Sequence, residues 1–209
     1  MREFSAAFQT ELMELLKWRR DVRHFKTDPI PLDLLQKCLN AFQTSPSVGL
    51  SEPWRIVRIT SPDCRAKALD NFTIANADAL RGYSDERAQT YASLKLSGMR
   101  DAPEQLAIFC DESTLKGAGL GAQSMPEMRR YSVVAAIMNF WLVTRANGLG
   151  LGWVSILDPD QLRRDLDVSD DWALVAYLCI GWPEYETLTP ELETVGWETR
   201  APEITLIEK

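Results

Sequence analysis

Gly148-Leu149-Gly150-Leu151-Gly152-Trp153-Val154-Ser155-Ile156-Leu157-Asp158-Pro159 is the stretch whose reading decides the fold. Its three alternating glycines superficially match the turn that cradles a dinucleotide. That turn needs a strand before it and a helix after it. Here the order is reversed. Residues 127–147 form a long apolar helical pattern, and Gly148 is placed to end it. Residues 149–157 then read as a strand, and Asp158 with Pro159 supplies the cap and first position of another helix. The glycines therefore do not mark a doubly wound nucleotide fold.

The rest of the chain agrees with a different plan. Phe8, Leu12, Leu15 and Leu16 have helical spacing, which predicts a first helix over residues 5–18. Pro31 can occupy the first turn of a second helix carrying Leu32, Leu35, Leu39 and Phe42 on one face. The turn-rich stretch Ser45-Pro46-Ser47-Val48-Gly49-Leu50-Ser51-Glu52-Pro53 leads into a strand over residues 54–60. Helical patterns cover residues 64–72 and 85–96, and strands cover 105–111 and 172–180. Residues 112–126 carry Gly117, Gly119 and Gly121 and read as a mobile loop in the position of a lid. The expected fold class is α+β, a central mixed or antiparallel sheet surrounded by helices. Residues 1–209 are expected to form a single domain, with 183–209 as an acidic, extended C-terminal arm. In that arm Val195, Trp197 and Ile204 are the residues expected to pack on something.

Composition narrows the chemistry. The chain has 209 residues, a net charge of −7 and a pI near 4.9, a balance that argues against nucleic-acid binding. Its longest apolar run, residues 133–143, is broken by Asn139 and too short to span a bilayer. No membrane association and no targeting segment are expected. The four cysteines, Cys38, Cys64, Cys110 and Cys179, have no metal-ligand spacing and sit among apolar neighbours, as buried thiols of a cytoplasmic protein would. A single histidine, His24, rules out a multi-histidine metal site. No metal is expected, and the reactivity should come from an organic cofactor or a reactive substrate.

Trp18-Arg19-Arg20-Asp21-Val22-Arg23 places three guanidiniums around one carboxylate in an acidic chain. If extended, the segment turns Arg19, Asp21 and Arg23 to one side, where forked guanidiniums suit a phosphate. The competing reading is a solvated helix end, with Arg19 and Arg20 near the C-terminal dipole.

Three segments together resemble the nitroreductase-like flavoprotein family, and within it the 5,6-dimethylbenzimidazole synthase branch of cobalamin biosynthesis. They are Arg19-Arg20-Asp21-Val22-Arg23, the Ser45–Arg55 stretch and the Gly148–Pro159 run. Met125-Pro126-Glu127, Tyr131-Ser132 and Leu94-Lys95-Leu96 also look like that branch, so the likeness runs from about Arg19 to Trp182. Ordinary members tend to carry serine where Asp21 stands. The synthase branch has aspartate there and serine in the Gly-Trp-Val-Ser run, and this chain has both.

The resemblance implies an interlocked homodimer with flavin mononucleotide (FMN) at the interface. It implies that Arg19 and Arg23 hold the phosphate and polar edge of the flavin, with Arg20 and Val22 contributing locally. Ser47 would approach from the partner subunit, Leu96 would edge the pocket, and Trp153, Val154 and Ser155 would run along one face of the ring. Arg200 is the candidate for a C-terminal arginine that closes on the phosphate. The implied activity is oxygen-dependent fragmentation of reduced FMN, the substrate, to 5,6-dimethylbenzimidazole and erythrose 4-phosphate. Asp21 would be the catalytic base or proton relay and Ser155 its hydrogen-bonding partner. A separate flavin reductase would supply the reduced FMN, with molecular oxygen as co-substrate. The alternative is an NAD(P)H-dependent FMN nitroreductase or a quinone or corrinoid reductase.

Overall fold

The computed structural model describes residues 2–94 and 97–209. Its centre is a four-stranded sheet formed by β1 (Trp54–Arg58), β2 (Glu104–Asp111), β3 (Gly150–Val154) and β4 (Trp172–Gly181). The strand order is β1-β2-β4-β3, and every adjacent pair is antiparallel. At the β3 edge, Asp21 forms an isolated parallel bridge to Leu151, so the sheet is mixed only through that contact.

Alternation along the two central strands divides the interior into two layers. Leu106, Ile108 and Cys110 of β2 join Ala176, Leu178 and Ile180 of β4 on one face. Helices α2 (Leu32–Leu39) and α6 (Met128–Ala146) cover that face, with Leu35, Ile137 and Phe140 fully buried. Ala107, Phe109, Tyr177 and Cys179 face the opposite way. There they meet α3 (Pro62–Leu80), α5 (Gly98–Asp101) and α7 (Pro159–Asp165) through Ala68, Met99 and Leu162. Because both faces are covered, β2 is buried along its whole length.

The helix signals work locally as their chemistry requires. Ser5 accepts from the Phe8 amide and caps α1 (Ala6–Trp18). Asp158 accepts from the Asp160 and Gln161 amides and caps α7, with Pro159 in the first turn. Asn71 of α3 holds the same cap by exchanging two hydrogen bonds with the Asp158 backbone. Gly148, at φ +79°, turns the chain out of α6.

Several boundaries differ from the sequence expectation. Pro31 precedes the second helix instead of opening it, and Phe42 lies in a 3-10 continuation, Asn40–Thr44. Helix α3 is longer than residues 64–72, because Ser61 caps it and Pro62 starts it. Strand β3 ends at Val154, not Leu157, since the chain must leave the sheet to reach the Asp158 cap. Helix α4 (Asp85–Ser93) also ends earlier than the pattern over 85–96 implied. The arm beyond Pro183 is not wholly extended: it contains the short helix α8 (Glu191–Thr194).

Candidate active site

Strand β3 explains why two of the three alternating glycines, Gly150 and Gly152, are needed. The extended segment after α1 lies against it, with the Val22 amide donating to the Leu151 carbonyl at 3.0 Å. A methyl group on Gly152 would fall far inside contact distance of the Val22 carbonyl, and one on Gly150 would lie 2.9 Å from the Val22 side chain. The glycines thus admit a neighbouring backbone, the close-approach role that glycine plays in a strand.

That approach delivers Asp21 to the exposed backbone of β3. Its Oδ1 accepts from the Trp153 amide at 2.9 Å, and its Oδ2 lies 3.6 Å from Nε of Arg23. Arg23 is the more buried partner and also lies 3.9 Å from Glu191 of α8. Two-fifths of the Asp21 side chain still meets solvent through the mouth of the site. Yet protein encloses the carboxylate closely enough that burial is the largest influence on it, raising its pKa against the opposing pull of the Trp153 amide and Arg23.

A cavity of about 190 Å³ opens beside this carboxylate, lined by Arg19, Arg20, Asp21, Val22, Arg23 and Arg200 among others. Arg19 stacks over the Trp141 ring at 4.7 Å. Its pKa is lowered, first by burial and then by the charge of Arg200. Arg20 is lowered for the same two reasons, with Arg19 adding a third push. Three guanidiniums therefore crowd one end of the cavity without a carboxylate for each. Nη1 of Arg23, another lining residue, is buried and has no hydrogen-bond partner among the described residues. Crowded cations and an orphaned buried donor fit an anionic ligand that carries further acceptors. A phosphorylated flavin meets that requirement.

The predicted site residues separate into groups. Arg19, Arg20, Asp21, Val22, Arg23 and Arg200 line one cavity. Trp153 and Val154 join Asp21 through the adjoining part of β3, where they line a smaller pocket with Val22 and Arg23. Ser155 lies beyond the end of β3, exposed, and is not among the residues lining the cavity. Ser47 is elsewhere, where its hydroxyl accepts from the Glu52 amide at 3.0 Å. Leu96 lies outside the described residues. Arg20 is also more committed than the sequence implied, since Nε and Nη2 both donate to the Leu188 carbonyl and Nη1 to its neighbour's, Arg19.

The glycine loop over 112–126 does not line the arginine cavity within the same chain. It docks on the Pro-Ser stretch, where Gly117 meets the Gly49 backbone and Lys116 pairs with Glu52. The residues missed from sequence include Trp141 and Arg145 of α6 and, from the arm, Tyr185, Glu186, Glu191 and Leu192, all of which line the cavity. For the arm the one advance signal was Val195, Trp197 and Ile204 in a segment without periodicity.

Residues 16–182 match the model of the nitroreductase family. The chain belongs to the nitroreductase family. Among family members it is 52% identical over 199 residues to the 5,6-dimethylbenzimidazole synthase of Rhodospirillum rubrum, a match covering 95% of this chain and 94% of that one. It is 45% identical to the 5,6-dimethylbenzimidazole synthase of Rhodobacter capsulatus, over 95% and 96% of the two chains. The branch read from Asp21 and the Gly-Trp-Val-Ser run is the branch of these relatives.

Solved structures give the same nitroreductase-like fold at lower identity. Iodotyrosine deiodinase bound to FMN and 3-iodo-L-tyrosine superposes with a TM-score of 0.73 at 19% identity, covering 95% of this chain and 97% of that one. A BluB-like flavoprotein from Clostridium difficile superposes with a TM-score of 0.69 at 21% identity, covering 94% and 99%. No described helix of this nitroreductase-family chain is long and apolar enough to cross a membrane.

Proposed function

We propose that this chain is a 5,6-dimethylbenzimidazole synthase that takes reduced FMN as substrate and molecular oxygen as co-substrate. The reaction fragments the flavin to 5,6-dimethylbenzimidazole and erythrose 4-phosphate. The observation that carries the reading is Asp21: a carboxylate held by the Trp153 amide, with a raised pKa, on the wall of an arginine-lined cavity. A site that only had to bind phosphate would gain nothing from a negative charge there.

Bound reduced FMN supplies the oxygen reactivity. The protein's residues do the rest. Arg19 and Arg200 hold the phosphate end, and Arg23, with its free Nη1, holds a polar edge. Fixing both ends restricts the intervening chain to one geometry, which is where an enzyme gains most from positioning. Asp21 is the proton acceptor or relay. Its Oδ1 is oriented by the Trp153 amide, and its raised pKa brings it closer to the operating pH, where a general base works best. Trp153 and Val154 form the adjoining wall that excludes water.

The chain acts as a homodimer in this reading. Ser47 and Ser155 lie outside the cavity of their own chain, and the glycine loop and the exposed side of α6 present Leu120, Tyr131, Val134 and Met138 to solvent. A partner subunit covering that face would bring Ser47 to the flavin, with Ser155 at the open end of β3. Reduced FMN comes from a separate flavin reductase.

The test is direct. Anaerobic protein is mixed with reduced FMN, air is admitted, and the products are separated by chromatography. 5,6-Dimethylbenzimidazole is the expected product. Recovery of intact oxidised FMN alone would overturn the reading in favour of a nitroreductase.

A further inference from the structure

The C-terminal arm lines the arginine cavity and is held near its start, at Glu191 by Arg23, and again at Trp197. Near its start, Arg20 donates to the Leu188 carbonyl, Arg145 pairs with Glu186 at 2.7 Å, and the Glu184 amide donates to the His24 carbonyl. Farther along, α8 ends in a glycine-terminated turn. The Gly196 amide donates to the Glu193 carbonyl and the Trp197 amide to the Leu192 carbonyl, with Gly196 at φ +73°. This reversal sends Trp197 onto an aromatic pair from a different part of the chain. Its ring meets Tyr83 edge-on at 5.3 Å and lies 6.2 Å from Tyr91, which is itself buried and 5.0 Å from Tyr83. Arg87 of α4 covers the indole at 5.1 Å.

Arg200 follows three residues later. Its charge lies close enough to Arg19 and Arg20 to lower both of their pKa values, so the three guanidiniums repel one another. Among the described residues Arg200 has no hydrogen bond or ion pair of its own to hold it there. Something must keep the arm in place against that repulsion before an anion arrives. The aromatic dock is the fixed point nearest to Arg200 along the chain.

We propose that Trp197 is a positioning residue: docked on Tyr83, Tyr91 and Arg87, it holds Arg200 beside Arg19 and Arg20 and thereby sets the protein's preference for a phosphorylated over an unphosphorylated flavin. This rests on the functional reading above for the identity of the ligand. It adds a residue outside the cavity, and it ties α4 to the phosphate end of the site through the arm.

The test uses the full-length protein with oxidised FMN and riboflavin as probes, their dissociation constants read from flavin fluorescence. Trp197→Ala should weaken FMN about tenfold, the low end for loss of a charged hydrogen bond, and riboflavin less than twofold. Trp197→Phe, which keeps an aromatic ring in the dock, should retain the parental preference. Arg200→Ala should reproduce the loss, and Trp197→Ala combined with Arg200→Ala should be no weaker than Arg200→Ala alone. Equal weakening of both ligands, unchanged FMN affinity, or additive losses in the double variant would overturn the proposal. If the parent makes no benzimidazole yet Trp197 governs the FMN preference, the reaction assignment fails and this one stands. If it makes the product and the Trp197 variants keep the parental preference, the reverse holds.

Discussion

Asp21 sits where its ionisation is costly, and that cost makes its role measurable in two ways. Asn at this position keeps an oxygen to accept from the Trp153 amide but cannot take up a proton. Asp21→Asn should therefore bind FMN within about twofold of the parent, while benzimidazole formation falls by about 10²–10⁴, the usual contribution of a positioned general base. Product at the parental rate would remove Asp21 from the chemistry. Stability gives the second measure. With its folded pKa raised, Asp21 holds its proton to a higher pH in the folded chain than at the unfolded value of about 3.9. The folded state then binds more protons in that window, so stability falls as pH rises through it and stays lower above. Asp21→Asn should raise the melting temperature at neutral pH, and the gain should vanish below about pH 3.9. A variant less stable than the parent at neutral pH would contradict the direction of the shift. At the anion end, Arg19→Ala should weaken FMN binding by about 1.5–3 kcal/mol in a direct titration, as loss of a charged hydrogen bond does. Unchanged affinity would exclude contact with the phosphate.

The decisive element is the edge formed by β3 and the segment over residues 20–23. Gly152 faces the Val22 carbonyl so closely that no side chain fits between them. Gly152→Ala must push the segment off the strand, breaking the Val22–Leu151 hydrogen bond or the one from Trp153 to Asp21. Such over-packing should cost about 1–3 kcal/mol in denaturant unfolding, with a parallel loss of FMN affinity. A neutral substitution would mean that the segment is free to shift. The glycine run was visible as a run, and its position after a helix excluded a dinucleotide turn. What the glycines accommodate was not legible, because the partner backbone lies about 130 positions earlier in the chain. The same limit applied to the arm. Its acidic, aperiodic sequence carries no local code for a path past the cavity, and contacts with distant residues, among them Arg20, Arg23, Arg145 and Tyr83, set that path.

Across the whole molecule, apolar surface is left over in an organised way. Helix α1 buries no residue in its own chain, yet carries exposed Phe8, Leu12 and Leu16 at helical spacing. A surface helix this apolar gains stability from a second body, and a homodimer with a self-complementary face meets the need. Leu12→Glu should shift the protein from dimer to monomer in sedimentation at micromolar concentration and lower its FMN affinity. A parent already monomeric under those conditions would remove the dimer from the account.

The amino-acid order alone determined the alternation of helices and strands, the α+β class and the family. The first two follow from periodicity and capping residues that lie within a few residues of one another, and the family follows from the likeness of three segments between Arg19 and Pro159. Tertiary structure alone decided which cavity the arginines share, that Arg20 is spent on the arm, that the glycine loop docks on the Pro-Ser stretch, and that Trp197 docks on Tyr83 and Tyr91. Those features depend on contacts between segments distant along the chain. Only the packing of both sheet faces, which puts the β3 edge beside the end of α1, brings them within reach.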